Sequence, residues 1–111
     1  MTQDQEERAR LWAAIGDPTR RRLIDIMLAH GEATATRLAA EMPITRQGVA
    51  KQLAVLEGAG LVERRRHGKE VGFAVRPDRL DLASRWMADV ANEWDSRLAE
   101  IKRLAEARAS R

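Results

Sequence analysis

The chain has no cysteine and no tyrosine, and its aromatic residues are one phenylalanine and three tryptophans. Without thiols it has no means of forming disulfides, iron–sulfur clusters, thiolate metal sites or a cysteine nucleophile. No apolar run approaches the roughly 20 residues that a membrane-spanning helix needs. The N-terminal "MTQDQEERAR" is charged where a signal peptide would be apolar. At 111 residues the chain has the size of one ordinary domain, so we expect a single domain, 1–111, that is cytoplasmic and makes no membrane contact.

The charge is unevenly distributed along the chain, although the net value is only +3. Residues 45–76 contain seven Lys or Arg and three Glu, whereas the segments before and after them are close to neutral. A basic stretch confined to one segment favours a localised contact with a polyanion over a uniformly solvated surface. The distribution therefore indicates that a nucleic acid binds through this segment.

Helix start signals divide the first half of the chain. A first helix is predicted over about 6–15, and Asp17 with Pro18 opens a second. A short third helix follows a Thr34 cap, and a fourth follows a Thr45 cap. Within the second helix, the run Arg20–Arg22 is interpreted as a solvated face, because exposed charge runs usually are. The inner face of this helix is predicted to carry Leu23, Ile26, Met27 and His30, with His30 packed or capping, while His67 is expected to lie exposed in a turn.

The fourth helix has two contrasting faces. Val49, Leu53 and Leu56 fall within a narrow arc, and the opposite face is polar, small and free of carboxylates. Two helices joined by a short turn, the second presenting such a face, form a helix-turn-helix unit whose second helix enters the DNA major groove. Gly48 costs up to about 1 kcal/mol in a helix interior, which indicates that another group approaches the backbone closely there.

The segment after Gly60 has the pattern of a β-hairpin with a basic tip. Val71, Phe73 and Val75 alternate with outward residues, and "LVERRR" precedes the loop "HGK". From Asp78 onward, apolar residues recur at helical spacing for about 30 residues and predict a last helix over about 78–107. The predicted fold is mostly α with a small β-hairpin (α+β), in the order of four helices, the hairpin and one long helix.

Three segments in sequence order, "DPTRRRLIDIML", "ITRQGVAKQLAVLEGAGLV" and "GKEVGFAV", resemble the ArsR family of winged helix-turn-helix repressors over about residues 10–104. The segment "RWMADVANEWDSRL" is similar to a subgroup whose last helix carries paired tryptophans and no metal ligands. This resemblance implies a homodimer that binds an operator with dyad symmetry in double-stranded DNA and represses its own transcription unit.

The chain departs from the metal-sensing members of that family. Those members use cysteines near the third helix, or a histidine and carboxylate set on the last helix, and this chain has neither. The resemblance therefore implies a regulator that does not respond to metals and needs no cofactor. The sequence leaves open whether a small-molecule inducer exists.

Two groups of residues are predicted to contact DNA, and a third is predicted to join two subunits. Base readout is predicted for Arg46, Gln47 and Ala50, since guanidinium and amide groups form paired hydrogen bonds with guanine and adenine edges. Backbone contacts are predicted for Thr45, Lys51, Arg64, Arg65, Arg66 and Lys69. The predicted dimer interface, on the helices at about 6–15 and 78–107, consists of Leu11, Trp12, Ile15, Trp86, Met87, Val90, Trp94, Leu98 and Ile101.

Two other functions are compatible with the same fold. A protein-interaction module would carry apolar or acidic residues on the outer face of the fourth helix, and that face has neither. A non-specific architectural DNA-binding protein would share the basic hairpin but discriminate little among sequences, so competition with random duplex distinguishes it. Ser84, Ser96 and the scattered carboxylates supply no nucleophile, base and orienting group, and no glycine-rich phosphate loop is present. The sequence therefore predicts no enzymatic activity.

Overall fold

Five helices and three short strands follow one another along residues 2–110, the residues that the computed structural model describes. The chain divides into two units, one ending at Leu80 and the other beginning at Asp81. The elements are α1 (Gln3–Gly16), α2 (Pro18–His30), β1 (Ala33–Thr34), α3 (Ala35–Ala40), α4 (Arg46–Gly58), β2 (Val62–His67), β3 (Glu70–Val75) and α5 (Pro77–Ala109). The predicted order of helices and hairpin is confirmed, and β1 is an addition to it.

Side-chain caps determine where the helices begin. The carboxylate of Asp17 accepts a hydrogen bond from the backbone N–H of Arg20 at 3.0 Å, which starts α2 at the predicted place. α1 begins earlier than predicted because Thr2 and Gln5 form a capping box, in which each side chain accepts from the other's backbone N–H. This reciprocal cap satisfies two N–H groups and adds almost a turn to α1.

The core of the first unit lies where α2, α3 and α4 meet. The apolar arc predicted on α4 is confirmed, since Val49, Leu53 and Leu56 are at most 1% exposed. They are accompanied by buried residues of the neighbouring elements, Leu23, Met27, Leu38 and Leu61. Burial of this apolar arc sets the rotation of α4 about its axis, so that the opposite, polar face of the helix points outward.

Two predictions for α2 are wrong. His30 does not lie on the inner face; it ends α2 at the surface, where its Nε2 lies 3.1 Å from the carboxylate of Glu41. Arg20 is not part of a solvated face, because it is half-buried and its guanidinium is bound by α1 and α4. Arg21 and Arg22 are exposed, as predicted.

The connection from α4 to β2 is a glycine-dependent helix end. The N–H of Gly60 donates to the carbonyl of Glu57 at 2.9 Å, and the N–H of Leu61 donates to that of Leu56 at 3.0 Å. This pair of bonds is the Schellman arrangement, which requires a left-handed residue between the helix and the next segment. Gly60 supplies it with φ +78°, and Leu61 is buried immediately after. The hairpin is thus held close to the C-terminal end of α4.

The strands form one antiparallel sheet in the order β1-β3-β2. β2 pairs with β3 from Val62↔Val75 to His67↔Glu70, and Gly68 at the tip has φ +63°, as tight hairpin turns favour. β1 adds two residues to the other edge of β3, with Ala33 opposite Phe73. The hairpin is therefore joined through β1 to the segment that precedes α3. Within residues 2–110, no helix combines the length and apolarity needed to cross a bilayer.

Candidate DNA interface

The predicted readout residues share the exposed face at the start of α4. Thr45 caps the helix, its hydroxyl accepting from the N–H of Gly48 at 3.0 Å, and the side chains of Arg46, Gln47 and Ala50 are exposed. A Cβ at Gly48 would lie 3.3 Å from the Thr45 hydroxyl oxygen. The close approach expected at Gly48 is thus made, within this chain, by the capping residue. The first turn of α4 therefore presents two long polar side chains on a fixed cap.

The three arginines of β2 are divided between the two faces of the hairpin. Arg64 lies directly opposite Phe73, with its guanidinium carbon 5.5 Å from the ring centroid. Its Nε donates to Glu57 of α4 at 2.9 Å. Because successive residues of a strand point to opposite faces, Arg66 shares the face of Arg64, whereas Arg65 points the other way and binds Glu63 at 2.9 Å.

The ion pair with Glu57 changes the electrostatic state of Arg64. The hydrogen bond that Arg64 donates to Glu57, together with the charge of that carboxylate, raises the pKa of Arg64 above its ordinary value. The arginine is exposed, so the pair is screened by solvent and can be exchanged for a phosphate contact. Among the described residues, no ion pair involves Arg46, Lys51, Arg66 or Lys69. Among the predicted DNA contacts, these four cations can therefore meet an anion without first giving up an ion pair.

A groove of about 540 Å³ separates α4 from the hairpin. It brings together four of the predicted contact residues, Arg46, Ala50, Arg64 and Lys69. The remaining lining residues are Thr34, Ala35, Thr36, Glu70, Val71 and Phe73. Sequence reasoning missed Thr36, because its place beside the hairpin depends on how α3 packs. The other predicted DNA contacts, Thr45, Gln47, Lys51, Arg65 and Arg66, lie outside this groove.

The hairpin tip is held to the segment between α2 and β1 by one polar contact. The Nε2 of His67 lies 2.8 Å from a carboxylate oxygen of Glu32. His67 is exposed as predicted, but it is the last residue of β2 and not part of the turn. The Glu32 side chain lies against the backbone of Gly72, where a Cβ would clash with its carboxylate. A glycine in β3 therefore makes room for the contact that joins the hairpin to the helical motif.

The predicted interface residues differ in how much surface they expose. On α5, Met87, Trp94, Leu98, Ile101 and Leu104 are 43–59% exposed, and their spacings of three, four or seven residues are those of one side of a helix. Trp86 and Val90 are half-buried, as are Trp12 and Ile15 of α1. The prediction for Leu11 is wrong, because this side chain is 1% exposed within the single chain and has no surface left for a partner.

Comparison with known proteins gives the class to which this site belongs. The family model of a helix-turn-helix domain matches residues 15–65. The chain is 42% identical over 65 residues to the HTH-type transcriptional regulator YuzN of Bacillus subtilis, an alignment that covers 53% of this chain and 71% of YuzN. It is 33% identical over 96 residues to the transcriptional repressor SmtB homolog of Synechocystis sp., covering 86% and 72% of the two chains.

A solved structure agrees over nearly the whole length. The ArsR-like transcriptional regulator from Rhodococcus sp. RHA1 superposes with a TM-score of 0.77 at 33% identity, covering 94% of this chain and 97% of that one. The fold and the helix-turn-helix site define a winged helix-turn-helix, DNA-binding transcriptional regulator. The chain belongs to the ArsR family of these regulators.

Proposed function

We propose that this protein is a homodimeric repressor that binds a specific operator with dyad symmetry in double-stranded DNA. The observation that carries the proposal is the exposed polar face at the start of α4, which lies across one groove from the basic hairpin. A helix of this kind fits the major groove, whose base edges carry distinct hydrogen-bonding patterns. Repression follows the likeness to the Synechocystis repressor.

The two surfaces have different tasks in this proposal. Arg46 and Gln47 read base edges, and Ala50 allows close apposition of the helix to the bases. Thr45, Lys51, Lys69 and the arginines of β2 contact the phosphates. Arg66 contributes more than Arg65, because Arg65 is bound to Glu63 on the far face of the hairpin. The contacts of the hairpin give affinity, and those of α4 give sequence preference.

The apolar stripe of α5 forms the subunit interface in this proposal. A row of large side chains about half exposed is unusual on a soluble monomer, because contiguous apolar patches of that kind favour association. A two-fold axis that covers the stripe makes the interface self-complementary and allows two α4 helices to reach half-sites about 34 Å apart. Trp12 and Ile15, which are half-buried on α1, are also proposed to contact a partner subunit.

The proposal is tested with three duplexes derived from the DNA upstream of the gene, after footprinting locates the protected site. These are the protected inverted repeat, a single half-site and a shuffled sequence of equal length. We expect two subunits on the inverted repeat, and affinity at least about 1,000-fold above the shuffled duplex. Equal affinity for all three would identify a non-specific architectural protein, and no DNA binding would favour a protein-interaction module.

We also propose that operator binding does not respond to metals. The supporting observation is the donor set, which lacks cysteine, while His30 and His67 lie on different elements beside Glu41 and Glu32. Structural zinc sites need about four converging ligands. Titration with zinc, cadmium, copper and trivalent arsenic should leave operator affinity unchanged at stoichiometric levels. A stoichiometric metal complex with weakened operator binding would contradict this.

A further inference from the structure

One guanidinium joins three parts of the helical motif. Arg20, in the first turn of α2, donates from Nε to the carbonyl of Ala14 and from one terminal nitrogen to the carbonyl of Ala13, both at 2.9 Å. Its other terminal nitrogen donates to the side-chain oxygen of Gln52 on α4, also at 2.9 Å. All three hydrogen bonds come from the planar fork of a single side chain, which is half-buried.

Two of these bonds complete the end of α1. The last four carbonyls of an α-helix have no partner within the helix, and the helix dipole favours a positive charge beside them. α1 has no basic residue in its own last turn. Arg20 supplies both the donors and the charge from the next helix. Arg21 is a neighbour of equal charge that is exposed and makes none of these bonds.

The third bond reaches the helix that carries the proposed readout residues. Gln52 lies on a different side of α4 from Arg46 and Ala50, because each successive residue of a helix is rotated by about 100° around its axis. It is half-buried and accepts from Arg20 rather than facing outward. The contact therefore acts on the position of α4 without taking part in the surface that meets DNA.

We infer that Arg20 is a positioning residue that holds the recognition helix α4 against the end of α1, with Gln52 as its receiving group. This inference rests on the proposed function, since it assigns the fork a role in operator binding. The fork therefore connects α4 to the end of α1 within one chain. A lysine cannot replace it, because an ammonium lacks the fixed, planar arrangement of donors.

The test uses the full chain and six proteins: wild type, Gln52→Ala, Arg20→Ala, Arg20→Lys, the double variant and Arg21→Ala as the charge-matched control. Operator affinity, its salt dependence and the dimerisation constant are measured for each, with circular dichroism melts reporting the folded fraction. We expect Gln52→Ala to lower operator affinity about tenfold, within the range of coupling between linked sites. The salt slope should stay the same, because no phosphate contact is lost. Arg21→Ala should match wild type apart from a small general charge effect.

Non-additivity is the second expectation. If the two side chains act as one unit, the double variant should bind the operator no more weakly than Arg20→Ala alone. Arg20→Lys should fail to restore affinity. Gln52→Ala keeps the inference testable where Arg20→Ala does not fold, because it leaves both bonds to α1 in place.

Three outcomes would overturn the inference. Full operator affinity in a folded Gln52→Ala protein would limit the fork to a structural role. A reduced salt slope in Arg20→Ala would make Arg20 a phosphate contact instead. A wild-type protein that binds operator and shuffled duplex equally would contradict the proposed function and therefore also this inference. The first two outcomes would contradict the inference alone.

Discussion

The Nε of Arg64 lies 2.9 Å from a carboxylate oxygen of Glu57, so the first arginine of the hairpin is bound to the last turn of α4. This carboxylate has two opposite effects. It orients Arg64 toward the groove, and it competes with any phosphate for the same guanidinium. Arg64 is exposed and Glu57 is half-buried, so solvent screens the pair, the competition is mild and the arginine remains exchangeable.

Replacement of Glu57 by Gln should therefore strengthen binding. Removal of the charge releases Arg64 for a phosphate, and we expect affinity for all duplexes, operator and random alike, to rise about twofold to fivefold. The slope of log affinity against log salt concentration should steepen by at most the amount expected for about one additional phosphate contact. The matched control is Glu63→Gln, which removes an equal charge on the far face of the hairpin. Equal gains in the two variants would show that only net charge matters.

Base readout and phosphate contact should be separable by mutation. Arg46→Ala and Gln47→Ala should each cost about 1–3 kcal/mol on the operator and leave random-duplex binding nearly unchanged. Arg66→Ala should weaken both and reduce the salt slope by about 1. Titrations at several salt concentrations measure both quantities. Variants at 46 and 47 that kept full discrimination would mean that α4 does not read the sequence.

The proposed interface can be weakened without touching any DNA-facing residue. Trp94→Ala should cost about 2 kcal/mol or more in dimerisation, the range for a large aromatic in the middle of an interface. Operator affinity should fall with it, while the melting temperature of the monomer changes little, because Trp94 is 53% exposed within one chain. Sedimentation equilibrium measures the dimer. The control is Glu93→Ala, an exposed neighbour on the same helix; an unaltered dimer in Trp94→Ala would argue for another interface.

Two neighbouring glycines should respond in opposite directions to the same substitution. Gly60→Ala places a side chain at φ +78°, which costs about 1–2 kcal/mol, and its Cβ would lie 3.1 Å from the Arg79 side chain. Gly58→Ala adds a methyl group to the end of α4 with nothing within 4 Å, so it should stabilise by up to about 1 kcal/mol. Urea unfolding reports both. A destabilised Gly58→Ala would show that α4 ends differently.

The contact between Glu32 and His67 at the hairpin tip should make the effects of substitutions at Gly72 and Glu32 on the free energy of unfolding non-additive. Gly72→Ala displaces the Glu32 side chain and breaks its bond to His67, and we expect a loss of about 1 kcal/mol. In a Glu32→Ala background the same change should cost nothing, because the clash is absent and alanine is favoured over glycine in a strand. The double-mutant cycle measures the difference. Equal costs in the two backgrounds would place the obstruction elsewhere.

The sequence predicted the elements whose signals are local. Asp17 and Thr45 identified the starts of α2 and α4, because a capping side chain binds backbone only three residues away. The apolar arc of α4 was also predicted correctly, because residues at helical spacing lie on one face of the helix and are buried together. The early start of α1 was also available in the Thr2 to Gln5 spacing, which is a capping-box signature.

Features that depend on distant residues were not readable. β1 is two residues long and exists only because Phe73 and Gly72 lie opposite it. The hydrogen bonds of Arg20 form because the packing of α1 against α2 brings the last carbonyls of α1 next to its guanidinium. A pattern of apolar residues along the sequence does not predict such a contact. The division of Arg64 and Arg65 between two faces follows from strand register, and the triple-arginine run conceals it.

The sheet order leaves β2 as an outer strand, with five exposed residues in a row from Glu63 to His67. An edge of that length offers unpaired backbone groups on which a strand from another molecule can dock, the usual beginning of aggregation. Three guanidinium groups along it oppose such docking, because two copies would bring like charges together. The segment proposed to contact DNA phosphates is therefore also the segment whose positive charge protects this sheet edge. Full neutralisation of Arg64, Arg65 and Arg66 would therefore weaken DNA binding and turn a protected edge into a template for self-association.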